Sequence, residues 1–409
     1  MKQTTQPALD AAVVGGGLSG LVAALALAGA GVETLLLAPA PGAPDRRTTA
    51  LLGGSVEVLE RLKVWPALAA HAAPLERLRL VDATERLVRA PETTFDAAEL
   101  GRAAFGYNVE NSRLHEVLLA AVRAERRIRL LEEAAVAVEP DRHAVGLQLA
   151  SGARECVRLV VAADGKNSLC RRAAGIEVET QKLPQTAIAL NLGHSRPHDN
   201  ISTEFHTEHG PFTLVPLIGN RSSLVCVEEP DEAAALLALD DAALGLELER
   251  RAHSILGKMK VAGARAAFPL GFAIAERFAG RRIALVGEAG HVLPPIGAQG
   301  LNLGIRDAAA IAARAAEAQA AGADIGGDGL LRAYDGERRG DIRTRARAVE
   351  WMNRSLLSDF LPLHLARGAG LHLAARVEAL RRFLMREGMG PEGLGPEPDA
   401  PRRAGDGAR

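Results

Sequence analysis

Apolar positions along the chain fall into two patterns, short runs of four to six and longer stretches spaced at three and four, and their order predicts the architecture. The first run, Ala11–Val14, reads as a buried strand. A glycine turn follows, then an apolar helix from Leu21 to Ala28 and a second strand from Val32 to Leu37. Val56, Leu59 and Leu62 share one helix face. Leu78–Asp82, Leu87–Val88 and the surroundings of Phe95 read as short strands, and Leu114–Ala124 as a helix with Asn111 near its cap position. Val157–Ala163 is another strand. Between Lys182 and Phe272 the rhythm changes: Ala187–Leu192, Ile201–Phe205, Phe212–Pro216 and Leu224–Val227 are short apolar pieces separated by turn residues, as in an antiparallel sheet, followed by a helix over Asp231–Leu256. The pattern then returns to strand, Ile283–Val286, and long helices, Ala308–Ala321 and Leu330–Leu356. Beyond Leu361 an amphipathic segment carries Leu373, Val377, Leu380 and Leu384 on one face and Arg376, Arg381 and Arg382 on others.

This order predicts an α/β protein: a Rossmann-like nucleotide-binding domain with an inserted, mostly antiparallel β-sheet domain and a C-terminal helical segment. The boundaries expected are 1–77, 103–181 and 273–388 for the nucleotide-binding domain and C-terminal helices, 78–102 and 182–272 for the inserted domain, and a disordered Gly-, Pro-, Asp- and Arg-rich tail over 389–409.

Composition narrows the function. With 409 residues and 48% hydrophobic content there is ample material for buried cores, while a net charge of −1 and 3% aromatic residues give no footprint for nucleic acid. Cys156, Cys170 and Cys226 are scattered, which fits reduced thiols acting as small hydrophobes in the cytoplasm. No apolar run is long enough to span a bilayer. His194, His198, His206 and His209 lie close together but in loops between strands, a poor basis for a metal site, and none is expected.

Three motifs carry the chemistry. Gly15-Gly16-Gly17-Leu18-Ser19-Gly20 stands between strand and helix, the context in which G-x-G-x-x-G becomes a dinucleotide fingerprint: Gly15 for the turn, Gly17 for close approach of a pyrophosphate, Gly20 for helix–strand packing. The acid that closes this unit by holding the ribose is missing, its place taken by Ala38. Asp164-Gly165-Lys166-Asn167-Ser168 ends a strand, where open α/β sheets bind ligands. Finally, Ile283–Asp307 runs from strand through a Gly- and Pro-rich loop to a helix start, whose unpaired N–H groups suit an electron-rich ligand. The loop arginine Arg47 is a further candidate for a phosphate or flavin contact, and Asn111 for either a helix cap or a ligand contact.

Taken in order, GGGLSG, ADGKNSLCR and VGEAGHVLPPIGAQGLNLGIRD resemble the single-component (class A) FAD-dependent aromatic hydroxylases. DRRTTAL, FGYNVEN, GAQGLNLG and YDGERRGD bring the resemblance closer to the ubiquinone-biosynthesis ring hydroxylases of that superfamily, over nearly the whole chain to Met389. The resemblance implies FAD as cofactor, with Gly15, Gly17 and Gly20 at the pyrophosphate, Asp164 and Gly165 near the FAD and the route of the reductant, and Arg47 beside the flavin. Asn111, Gly287, Glu288, Gly300, Leu301 and Asn302 complete the implied cofactor set. Glu288 stands where relatives carry aspartate and Gly290 where many carry alanine. Catalysis would be flavin-based, through a hydroperoxide whose distal oxygen passes to an electron-rich ring, with Pro294, Pro295, Gly297, Gln299 and Gly300 shaping the site and the loop's N–H groups facing the flavin pyrimidine. His291, in the GEAGH turn, is expected to be structural rather than a base.

The implied partners are a prenylated aromatic or quinone substrate, O2, and NAD(P)H or a protein electron donor. Localisation is expected to be cytoplasmic. Contact with the inner membrane or a biosynthetic complex would run through the segment Leu361–Leu384. Two alternatives stand beside this reading: a class A hydroxylase of a soluble aromatic or polyketide, and a non-catalytic FAD-binding accessory subunit.

Overall fold

The computed structural model describes residues 9–40, 42, 45–84, 89–357 and 377–389. At its centre is a parallel sheet in the order Ile128–Leu131, Thr34–Leu37, Leu9–Val14, Arg154–Ala162, Ile283–Leu285, extended by the antiparallel strand Ala279–Gly280. Strands covered on both faces have no polar side to alternate with, which is why Ala11–Val14 and Leu35–Leu37 are apolar at consecutive positions and fully buried or nearly so. One face packs against the helices Leu18–Gly29 and Gln299–Ala320, the other against the helix Leu169–Ala173 and the hairpin Ala135–Pro140/Val145–Leu149.

A second sheet of eight strands runs His291–Val292, Met259–Ala275, Val178–His194, Arg221–Glu228, Pro211–Leu217, Ile201–His206, Arg77–Asp82, Thr93–Asp96. It is antiparallel except where Ile201–His206 meets Arg77–Asp82. The helices Pro230–Ala238 and Asp241–Arg251 bury one of its faces on Leu190, Leu192, Phe205, Phe212 and Leu224. A small third sheet joins Thr48–Leu52, Gly106–Glu110 and Ala73–Pro74. The sheets are stitched together: His291–Val292 follows the last parallel strand yet pairs with Ala273 and Ile274 of the antiparallel sheet.

The architecture is the α/β arrangement that the sequence predicts, with differences in detail. The single helix expected over Asp231–Leu256 is two, because Leu239 and Asp240 are extended (ψ 148° and 170°) and Asp240 caps the second by accepting from Ala243 N at 2.7 Å. Here a local side-chain cap outcompetes helix continuation. The late helix begins at Gln299 rather than Ala308, so Gly300 and Gly304 are helical and not loop residues. Two strands are far longer than their apolar cores suggest: Val178–His194 and Met259–Ala275 pair along 17 residues each, with register shifts between Lys182 and Thr186 and between Ala189 and Asn191. The strand expected at Leu87–Val88, the tail 390–409 and most of the amphipathic segment, including Leu361, Leu373 and Arg376, lie outside the described residues. The helix Glu378–Met389 is described; Met385 packs on Phe95, Ala97 and Phe105.

Candidate functional site

Four chain segments meet at the carboxyl end of the parallel sheet. The glycine turn comes first. Gly15 has φ +119°, and a Cβ there would sit 2.2 Å from Ala163 O; one on Gly20 would sit 2.0 Å from Gly15 O. Both must be glycine for the fold alone. Gly17 differs: its φ is −71°, it is the N-cap of the helix Leu18–Gly29 without any side-chain cap, and a Cβ would meet nothing within 4 Å. The fold does not require glycine at 17, and open space is left before this helix N-terminus, the kind of space that suits an anionic group. Beside it lies a cleft of about 280 Å³ bordered by Gly16, Gly17, Ala38, Pro39, His115 and Glu132. His115 Nε2 donates to Gly16 O at 3.0 Å and steadies the turn.

The second segment follows the strand Arg154–Ala162. Asp164 does not project into the crevice as a free carboxylate: it accepts from Ser168 Oγ at 2.6 Å and from Cys170 N at 3.0 Å, folding its own loop. Ser168 in turn caps the next helix by accepting from Arg171 N. Gly165, at φ +76°, has open space where a Cβ would stand. Arg171 donates to Ala289 O at 2.8 Å, tying this loop to the third segment.

That third segment, Gly287 to Asn302, rests on a buried ionic core. Asp307, fully buried, accepts from Gly287 N at 2.9 Å, from His291 Nε2 at 2.7 Å and from Arg338 Nε at 2.6 Å. Burial alone would raise its carboxyl, but Arg338 and the hydrogen-bonding His291 outweigh that and hold it down to about 2. Asp341 extends the network to Arg306, Arg338 and Arg345. Tyr334 Oη donates to Leu285 O at 2.6 Å and Asp335 accepts from Phe278 N at 2.6 Å. The residues of YDGERRGD thus clamp the helix Asp328–Leu357 onto the underside of the loop. His291 is part of that clamp, in keeping with a structural role.

Above the clamp the loop is open. Glu288 is exposed, and among the described residues no protein donor takes its carboxylate; it faces the positive field of Arg47. Pro294 is buried whereas Pro295, Gly297 and Gly300 are exposed, and Gly297 and Ala298 adopt left-handed backbone (φ +65° and +53°) just before the helix start. Gln299 bends back to Gly297 O at 2.9 Å. Gly287 and Gly304 are needed for close packing: a Cβ on either would fall 2.9 or 2.3 Å from Ser19 Oγ, so two helix N-termini can lie side by side. A Cβ on Gly290 would come 3.0 Å from the Phe278 ring.

The fourth segment is Asp45 to Leu52. Arg47 makes a two-pronged pair with Asp45 (2.8 and 2.7 Å) and lies over the Phe268 ring, 5.2 Å from its centroid. Asn111 is not the helix cap, which falls on Glu110; it is the first helical residue, accepting from Thr49 Oγ1 at 2.7 Å and donating to Asp45 Oδ2 at 2.9 Å. Burial raises the Asp45 carboxyl, but the hydrogen bonds from Arg47 and Asn111 prevail and bring it to about 2. Asn302 joins this segment to the third: Leu52 N donates to its Oδ1 at 2.9 Å, and its Nδ2 donates to Ala50 O at 2.8 Å. Leu301 beside it is half-buried.

The site candidates from sequence therefore converge, but they divide in kind. Gly17, Gly165, Arg47, Glu288, Gly297 and Gly300 present themselves outward, whereas Asp164, Asn111, Gly287 and Asn302 use their polar groups within the protein. Sequence reading missed Asp307, Arg338, Asp341, Tyr334 and His115; the alternation of acid and base at three- and four-residue spacing in Tyr334–Arg345 was the available signal. The four histidines of the second sheet each bond within the protein, to Arg196 O and Ser222 (His194), Leu217 O (His198), Glu204 (His206) and Glu229 (His209). Cys170 and Cys226 are buried and Cys156 partly so, and none of the three forms a disulfide with another described residue.

A glycine turn at a helix N-terminus, an adjoining cleft and a clamped loop at the carboxyl end of a parallel sheet define a dinucleotide-binding flavoprotein, and the chain belongs to the FAD binding domain family, whose pattern matches residues 8–349. It is an FAD-dependent monooxygenase. More particularly, it is 35% identical over 396 residues to the ubiquinone hydroxylase UbiL of Rhodospirillum rubrum, covering 95% of this chain and 91% of that one. It is 31% identical to the 3-demethoxyubiquinol 3-hydroxylase of Escherichia coli, covering 95% and 100%. The crystal structure of p-nitrophenol 4-monooxygenase PnpA from Pseudomonas putida shares the fold, with a TM-score of 0.76 at 20% identity, covering 95% and 100%.

Proposed function

We propose that this protein hydroxylates the aromatic ring of a prenylated phenol or quinone precursor in ubiquinone biosynthesis. The observation that supports the reading is the open space at the Gly17 turn, together with an exposed Glu288 in the field of Arg47, in a chain that aligns over 95% of its length with a ubiquinone hydroxylase. FAD supplies the oxygen-activating redox chemistry; the chain's own residues bind and orient. The helix N-terminus at Leu18 offers its N–H groups to the pyrophosphate. Glu288 would accept from hydroxyls of the ribityl chain. The start of the helix Gln299–Ala320, exposed at Gly300, would turn the N–H groups of Gly300, Leu301 and Asn302 toward the flavin pyrimidine and stabilise negative charge there. Arg47, levelled on Phe268 and braced by Asp45, would stand beside the flavin. Asn111, Asp164 and Gly287 hold these contacts in place from behind. Reducing equivalents come from NAD(P)H or a protein donor.

A polyprenylated substrate has to be collected from a bilayer or a carrier. No helix among the described residues is long and apolar enough to cross a membrane. Of the arginines expected to dock, Arg381 is engaged within the protein, on Glu99 at 2.5 Å and over the Phe95 ring at 4.8 Å, so docking around the helix Glu378–Met389 rests on its exposed Arg382 and Phe383 and on Val377 just before it. The test of the reading is chemical. Quinone intermediates extracted from a strain lacking this gene and identified by mass should lack one ring oxygen, and restoring the gene should restore it. An unchanged quinone profile would overturn the assignment and favour a soluble aromatic substrate.

A further inference from the structure

The residue that follows the second parallel strand is the usual holder of the adenosine ribose in this type of fold, because a carboxylate there lies across the cleft from the glycine turn. Here it is Ala38, which has nothing to offer a hydroxyl. The sheet register shows where a substitute stands. Thr34–Leu37 runs parallel to Ile128–Leu131 with Leu37 opposite Leu131, and Ala38 N donates to Leu131 O at 3.0 Å. The residue after Leu131 is Glu132, level with Ala38 and one strand further out, at a strand spacing of about 4.8 Å. Ala38 and Glu132 border the same cleft as Gly16 and Gly17. The Glu132 carboxylate is held by Arg123 at 3.0 Å, and both side chains are 59% exposed. Such a pair contributes little and rearranges readily.

We propose that Glu132 takes over the task of the missing acid, accepting hydrogen bonds from the adenosine ribose hydroxyls of FAD from the third strand of the unit instead of the second. The longer reach of glutamate compensates for its place one strand away, and Arg123 donates to the carboxylate when no hydroxyl is present.

The experiment compares flavin release from diluted holoenzyme, followed by flavin fluorescence, for the wild type, Glu132→Ala, Arg123→Met and Glu132→Ala/Ala38→Glu. Each is measured with FAD and, after exchange, with an FAD whose adenosine lacks the 2′ and 3′ hydroxyls. Glu132→Ala should hold FAD roughly tenfold less tightly, equivalent to about 1.4 kcal/mol, while holding the dideoxy analogue as the wild type does. Arg123→Met should retain FAD, and Ala38→Glu should restore part of the loss. Unchanged FAD retention in Glu132→Ala would overturn the proposal. So would an equal loss for FAD and the analogue, or an equal loss in Arg123→Met, since either points to local structure rather than to the ribose. Glu132 is exposed, so its flavin-free variant should melt at the temperature of the flavin-free wild type.

Discussion

Replacing Asp307 by alanine should destabilise the protein and loosen the flavin loop together. Asp307 accepts three hydrogen bonds in a dry environment, from Gly287 N, His291 Nε2 and Arg338 Nε. Its removal leaves Arg338 buried with only part of its charge met by Asp341, and leaves Gly287 N and His291 without a partner. Breaking one side of a buried pair costs about 3–5 kcal/mol. Protonation costs less: lowering the carboxyl from 3.8 to about 2, at ~1.4 kcal/mol per unit, corresponds to on the order of 2 kcal/mol. The neutral acid still fills the site, which is why the two magnitudes differ. Because the folded value is the lower one, this stabilisation is complete above pH 4 and is lost as pH falls through about 2. Guanidinium unfolding followed by flavin fluorescence measures the loss. The double variant Asp307→Ala/Arg338→Met should be clearly less unstable than the two single losses added, since each single variant strands the other's charge. A loss below about 1 kcal/mol, or strict additivity, would refute the buried-pair account.

Gly17→Val should yield a folded, colourless protein, because the fold leaves space at 17 and only the pyrophosphate needs it; thermal melting of an intact fold without bound flavin is the check, and retained yellow colour would count against the site. Glu288→Ala should weaken FAD retention by about 1–3 kcal/mol, read by flavin release, with no change in the stability of the flavin-free protein. Asn302→Ala removes the bonds to Leu52 N and Ala50 O and should cost about 1–3 kcal/mol while raising proteolytic cleavage near Asp45–Leu52; an unaltered digestion pattern would show that the segment is held otherwise.

Local information in the sequence was enough for the parallel strands beginning at Ala11, Val32, Val157 and Ile283 and for the glycine turn, because burial on both faces writes a parallel strand as an unbroken apolar run, but not for Ile128–Leu131, the hairpin Ala135–Pro140/Val145–Leu149 or the length of Met259–Ala275. What it could not decide were matters set by partners distant along the chain. Nothing near Asn111 says that its side chain turns inward, since the choice depends on Thr49 and Asp45, more than sixty positions earlier, taking up its polar atoms. Asp307 and Arg338 look like ordinary helix charges until two helices bring them to 2.6 Å in a dry interior, where an unpaired charge would be far too costly. Glu132 likewise gains its meaning from strand register alone: parallel pairing of Leu37 with Leu131 puts an acid beside an alanine 94 positions earlier, and only the folded sheet makes that distance short.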